Sequence, residues 1–333
     1  MDTANPQPSP LVLGLDSGGS RTRVVVADLH GVVRGRAEGG GANPVALGLD
    51  AALKALRGTI AEALRGQDPA AVRYAELGLA GDELLRQTGP AEALGAVLRE
   101  TGLRCPHEVV GDALVAFAAA TTEADGCLLV SGTGSVAVRI RDRRIVDTAG
   151  GYGWLLGDPG SGHWLGAEAV RVAVDTLRGR ARAPRLTALV CAALLGEPEP
   201  VVPCADAAER LLAALYARPE LRLSVLAPQV VEAVRAGDPD APSVLDRAAA
   251  HLDALLAELG PRAADEPVVL AGSCLAPQVL GDRLTALVAD RGPALLLRAE
   301  DHAVGAAWLA AARLPGAEPD GLARMHRALT GAG

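Results

Sequence analysis

The sequence predicts an α/β protein built from two similar halves. Three observations predict it. Short apolar runs end at Gly, Ser, Asp or Asn turns, as strands do. A strand, a glycine turn and two further strands occur twice, about 115 residues apart. Helical and strand patterns then alternate after the first of these units.

In order along the chain, Leu11 to Leu15 is apolar and ends at Asp16-Ser17-Gly18-Gly19-Ser20. Val24 to Ala27 and Val32 to Ala37 follow, so the first three runs read as consecutive antiparallel strands. Leu53, Leu56, Ile60 and Leu64 recur at helical spacing and predict a helix over Ala51 to Leu64. A strand at Tyr74 to Leu79, a helix at Leu84 to Glu100 and a strand at His107 to Val110 complete the half. The second half opens with Cys127 to Val130, the turn Ser131-Gly132-Thr133-Gly134-Ser135, an alternating run to Ile140, the turn Asp142-Arg143 and a third run to Thr148. Leu165 to Gly260 reads as Ala/Leu helices with proline joints at Glu197 to Pro203 and Gly237 to Pro242. Pro267 to Leu270 is a strand, Pro277 to Asp290 a helix, Ala294 to Arg298 a strand and Ala303 to Ala312 a final helix. The expected layout is a disordered tail over 1–10, a first domain over 11–118 with 303–314 packing back onto it, and a second domain over 119–302 carrying the helical insert 165–260. The boundary is placed near Ala119 to Asp125.

Bulk properties narrow the function. The 333 residues suffice for two domains with a buried core. A net charge of -8 argues against nucleic acid or an anionic membrane as the main partner. No uncharged run approaches the roughly 18 residues of a membrane helix, and the start MDTANPQPSP lacks a signal-peptide pattern. A soluble cytoplasmic protein is expected. The five cysteines have no metal or CxxC spacing and read as reduced thiols. The six histidines show no ligand spacing and read as structural or solvated.

Two glycine turns point to phosphate chemistry, because glycine lets the backbone approach a polyphosphate and Ser or Thr adds a hydroxyl donor. If two similar domains face each other, both turns grip one nucleotide tail. Plain tight hairpins are the alternative. A P-loop is ruled out because Lys54, the sole lysine, lies in a helix. A dinucleotide fold fits poorly, because Val136, Val138 and Ile140 alternate as a strand where a helix is needed. Asp16 suits a magnesium ion or caps its own turn. Asp112 can orient an alcohol and take its proton, or cap the helix it opens, and the two roles are compatible. Gly150 to Gly162, rich in glycine with Tyr152, Trp154 and Asp158, reads as a sugar-wrapping loop or a plain surface loop. Asn43 could hydrogen-bond a polar substrate, although such residues more often make turns. Gly272-Ser273 could admit an adenine against backbone.

These motifs converge on a family. LGLDSGGSRTRVVVAD, GDALVA, LLVSGTGS and GGYGWLLGDPGSGHWLG, in that order, resemble the BadF/BadG/BcrA/BcrD ATPase family, and within it the N-acetylglucosamine kinases, over Leu11 to Ala312. The resemblance implies two ribonuclease-H-like domains of the actin/hexokinase superfamily with a nucleotide cleft between them. It implies ATP and Mg2+ as cofactors and transfer to the 6-hydroxyl of an amino sugar. Asp16, Gly18, Gly19 and Ser20 match the first phosphate motif, with Asp16 at the metal. Thr133 and Gly134 match the second phosphate motif, Gly272 and Ser273 the adenosine motif, and Asp112 the catalytic base. Asn43, Ser135, Gly151, Tyr152 and Asp158 match positions that hold the sugar beside Asp112. Tyr152 stands where animal N-acetylglucosamine kinases usually have Trp, and Pro44-Val45 where they have an aromatic dipeptide. Glucosamine and N-acetylmuramic acid therefore stay open as substrates. An ATPase activator of an iron–sulfur partner and a non-catalytic sugar sensor are the other readings the family offers. The insert is a candidate homodimer face.

Overall fold

The computed structural model describes residues 10–196, 204–218, 222–292 and 294–331. The first nine residues of the expected tail and the proline joint at 197–203 lie outside them. The chain divides into two compact units. The first comprises Met1–Asp125, Ile140–Arg144 and Leu297–Gly333, and the second Gly126–Arg139 and Ile145–Leu296.

The first sheet contains β1 (Leu11–Ser17), β2 (Arg21–Asp28), β3 (Val33–Gly40), β4 (Val72–Leu79) and β5 (His107–Val110), in the order β3-β2-β1-β4-β5. The first three strands pair antiparallel, whereas β4 joins β1 and β5 joins β4 in parallel. Side chains of a strand alternate between faces, so β1 and β2 feed two cores. Leu11, Leu13, Leu15, Val24 and Val26 pack on one face with Leu53, Leu56 and Ile60. Val12, Val25 and Ala27 pack on the other with Ala303, Val304 and Ala307. Burial on both faces explains why β1 reads as an unbroken apolar run.

Five helices belong to this stretch: α1 (Pro44–Leu47), α2 (Leu49–Ala63), α3 (Asp82–Leu85), α4 (Thr88–Glu100) and α5 (Asp112–Ala120). The single helix expected over Leu84 to Glu100 is two. Pro90 has no N–H and fits only the first turn of a helix, so the pattern restarts at Thr88 after an extended Gln87.

The second sheet contains β6 (Gly126–Ser131), β7 (Ser135–Arg141), β8 (Arg144–Gly150), β9 (Pro267–Ala271) and β10 (Leu295–Arg298), in the order β10-β9-β6-β7-β8. Matched by chain order, this is the connectivity of the first sheet, and β6 pairs β9 in parallel as β1 pairs β4. The repeat expected from the sequence is thus a repeat of topology. Asp142 and Arg143 both take positive φ, 48° and 53°, which fits a two-residue hairpin turn. Helices α6 (Gly162–Leu177), α7 (Pro184–Leu195), α8 (Ala205–Tyr216), α9 (Ala227–Arg235) and α10 (Ala241–Glu258) make up the insert. Helix α11 (Asp282–Asp290) is preceded by one wide turn in which Gly281 N–H donates to Ala276 O, so the helix expected from Pro277 starts five residues later. No helix among the described residues is long and apolar enough to cross a membrane. No disulfide joins any of the five cysteines.

Two helices close the chain, α12 (His302–Ala312) and α13 (Pro319–Thr330). Helix α12 is the spacer of the first unit. A Cβ on Gly14 of β1 would lie 2.1 Å from Ala307 N, and one on Gly305 would lie 2.2 Å from Val115 O in α5. Two missing side chains let β1 and α5 seat against the same helix, backbone to backbone. Helix α13, which sequence reasoning did not foresee, braces the far end of α5. His326 Nε2 lies 2.9 Å from Ala118 O, and Trp308 Nε1 donates to Leu322 O at 3.0 Å.

Candidate active site

In the first unit three carboxylates gather at strand ends. Asp16 is the penultimate residue of β1, Asp112 opens α5 two residues after the end of β5, and Asp82 opens α3 just beyond β4. Gly111 is the N-cap of α5, so Asp112 is the first helical residue and not the cap. Its carboxylate is half-buried but surrounded by protein, and burial pushes its pKa up from 3.8 to about 6. The Asp16 charge and, more weakly, that of Asp82 push in the same direction, whereas His302 and the Ala113 amide oppose them. His302 stands at the start of α12 with Nδ1 3.6 Å from Asp16 Oδ1. The histidines were expected to be structural or solvated, and His302 is half-buried beside this carboxylate. No sequence spacing signals it, because α12 returns from the other end of the chain to reach β1.

The first turn is rigid below and open above. Ser17 Oγ and Thr22 Oγ1 share a buried hydrogen bond of 2.7 Å, Thr22 donates to Gly40 O at 2.7 Å, and Ala42 N–H donates to Ser17 Oγ at 3.1 Å. Gly18 N–H closes the turn on Arg21 O at 3.0 Å. A Cβ on Gly18 or Gly19 would meet nothing within 4 Å, so the space over these two residues is clear. Ser20 is exposed beside them. Asn43 caps α1: its Oδ1 accepts from Val45 N–H and Ala46 N–H at 2.9 and 3.3 Å. It borders the β4–α3 corner, since a Cβ on Gly81 would come within 3.1 Å of that oxygen.

In the second unit the glycine-dense stretch folds onto the second turn. Ser131 Oγ donates to Gly160 O at 2.8 Å, Ser135 Oγ donates to Pro159 O at 2.9 Å, and Gly162 N–H donates to Gly132 O at 2.7 Å. Ser135 is buried, so its hydroxyl holds this loop in place. Gly151 N–H donates to Ser135 O at 3.0 Å. Asp158 takes a strained φ of 41° and accepts from Gly153 N–H at 3.0 Å. Burial raises its pKa, against the pull of that amide and of His163. A Cβ on Gly134 would lie 2.5 Å from Asp158 Oδ2, so a side chain there would displace that carboxylate. Tyr152 projects into solvent, and Thr133 is exposed at the crest of its turn. Gly272, with φ of 102°, brings its Cα against the Ser131 carbonyl, where a Cβ would lie 2.3 Å away. The structure therefore packs the adenosine candidate Gly272-Ser273 directly on the second turn. Beside both lies a cavity of about 660 Å³, lined by Gly132, Thr133, Ser273 and helices α6, α7 and α9. That volume suits a nucleoside, within the usual range of about 300–1,000 Å³ for small-molecule sites.

Residues 13–310 match the sequence model of the BadF/BadG/BcrA/BcrD ATPase family. The chain belongs to that family. Two curated relatives match over part of their length. The N-acetylmuramic acid/N-acetylglucosamine kinase of Clostridium acetobutylicum is 28% identical over 171 residues, covering 51% of this chain and 55% of the relative. The N-acetyl-D-glucosamine kinase of Dictyostelium discoideum is 27% identical over 176 residues, 48% of this chain and 53% of the relative. The chain thus spans about half the length of the curated relatives it matches. A solved structure from Chromobacterium violaceum, assigned as an N-acetylglucosamine kinase, has a TM-score of 0.68 at 24% identity, covering 90% of this chain and 99% of that one. This likeness shows that the two proteins share one α/β fold. The family match ends at residue 310, so α13 lies beyond it.

Proposed function

We propose that the protein is an ATP-dependent kinase that phosphorylates the 6-hydroxyl of an amino sugar, with N-acetylglucosamine as the acceptor that its relatives' activities favour. The observation that carries the reading is Asp112. A carboxylate whose pKa sits near 6 is ionised at neutral pH yet basic enough to take a proton in the transition state.

In the reaction the sugar oxygen attacks the γ-phosphorus, its proton passes to an Asp112 oxygen, and the bond from the β–γ bridging oxygen to the γ-phosphorus breaks to release ADP. Gly18 to Ser20 of the first turn, and Thr133 with Gly134 of the second, are assigned to phosphate. A hard cation fits the first unit at Asp16, an oxygen donor near the end of β1. Among the described residues no group of three or more His, Cys, Asp or Glu could hold a metal ion. Mg2+ would therefore take its other ligands from phosphate and water, supplying charge neutralisation on the phosphoryl oxygens. Asn43, Gly151, Tyr152 and Asp158 are assigned to the sugar, with Ser135 holding the loop that carries Asp158.

The pH dependence follows from Asp112. Its ionised form is the active one, so kcat/KM should hold steady above about pH 7 and fall about tenfold per unit well below pH 6. A profile flat from pH 5 to 8 contradicts the assignment. A coupled ADP-release screen over N-acetylglucosamine, glucosamine and N-acetylmuramic acid tests the activity. Sugar-dependent ADP formation is expected, and sugar binding without turnover would instead support a sensor.

A further inference from the structure

The cavity of the second unit carries polar side chains from one face of α9, namely Gln229, Glu232 and Arg235. Glu232 and Arg235 are exposed, whereas Gln229 is half-buried. The side-chain amide of Gln229 faces Leu226 O and Val225 O, and with its nitrogen turned toward them it donates at 2.8 and 3.3 Å. That orientation is assigned from those two carbonyls, which the opposite orientation would set against the amide oxygen. A primary amide has two N–H donors and one carbonyl acceptor. Both donors are engaged by backbone, so the capacity left to Gln229 is that of an acceptor. Turning the side chain to offer a donor to a ligand would give up both of these hydrogen bonds.

We infer that Gln229 selects the nucleotide base, its carbonyl oxygen accepting from the 6-amino group of adenine and repelling the 6-oxo group of hypoxanthine or guanine. This rests on the kinase reading, which assigns phosphate to Thr133, a residue that lines the same cavity. The remaining lining is mainly apolar, with Leu165, Val225, Val231 and Val279, and suits the faces of a purine. An acceptor held in this orientation discriminates, because the wrong base sets two acceptors facing each other.

Calorimetric titration of the whole protein with ATP and with inosine triphosphate tests this, since the two differ at the 6-position and in the proton on N1. The wild-type protein should bind ATP at least about tenfold more tightly. The Gln229→Leu variant should bring the two affinities within about twofold, mainly through weaker ATP binding. A purely structural role for Gln229 would weaken both nucleotides alike and keep their ratio, and that outcome overturns the inference. Equal affinities in the wild-type protein overturn it too, whether or not the variant folds. Discrimination is the readout for Gln229, and binding of any nucleotide is the readout for the kinase reading. Binding without discrimination sinks only the former, and no binding sinks both.

Discussion

The Asp112→Asn variant is expected to lose sugar phosphorylation by about 10²–10⁴-fold while becoming the more stable protein. The same burial that makes Asp112 a usable base makes its charge costly. Its pKa rises from 3.8 to about 6, roughly 2 units, and at 1.36 kcal/mol per unit the ionised group costs at most about 3 kcal/mol. Its partial exposure lowers that figure. The sign is fixed by the direction of the shift. Between pH 4 and pH 6 the folded state holds the proton longer than the unfolded chain, so wild-type stability falls as pH rises through this window. Below pH 4 the variant and wild type should melt together, and above pH 6 the variant should melt higher. ATP affinity should stay close to wild type, because the first-turn glycines are untouched. Retained turnover, or a variant that melts lower at pH 7, contradicts the role.

Gly14→Ala and Gly19→Ala should separate folding from function within one strand–turn unit. A methyl on Gly14 would lie 2.1 Å from Ala307 N and 2.3 Å from Ala303 O. Both are backbone atoms of α12, which cannot move as a side-chain tip can, so β1 must part from the helix. Overpacking of this kind costs about 3 kcal/mol or more, a fall in Tm of about 6–12 °C. Misplaced with it is Asp16, two residues on. Gly19 has no atom within 4 Å of its Cβ position and no positive φ, so alanine there should leave Tm within about 1 °C. Its methyl would occupy the space assigned to phosphate and should weaken ATP binding by about tenfold or more. Equal melting temperatures for the two variants would remove α12 as the spacer of the carboxylates.

How much of this was legible in the sequence depends on range. The strand–turn–strand units were visible because their signals are local: an apolar run, glycines at the bend, then alternation. Both glycine turns and Asp112 were found that way, since each sits at the end of its own apolar run. His302 and Asp82 were not, because their relevance comes from strands and helices brought together only by folding. Hydroxyl contacts were not legible: Ser135 matches a sugar position by motif, and only the structure shows its hydroxyl donating to Pro159 O. Asn43 shows the opposite case, in which the expected turn role is visible and the substrate role stays a proposal. Helix α13 was passed over because its apolar face is thin, with only Met325 and His326 buried. The break before Thr88 was missed although Pro90 marks it.

The account rests on transfer of phosphate from ATP to one sugar hydroxyl, and the product itself is the most direct witness. Wild-type protein incubated with ATP, Mg2+ and carbon-13-labelled N-acetylglucosamine should give a product whose C6 resonance is split by phosphorus and whose amount equals the ADP formed. ADP released at the same rate without sugar, or no sugar phosphate from any of the three amino sugars, would contradict it.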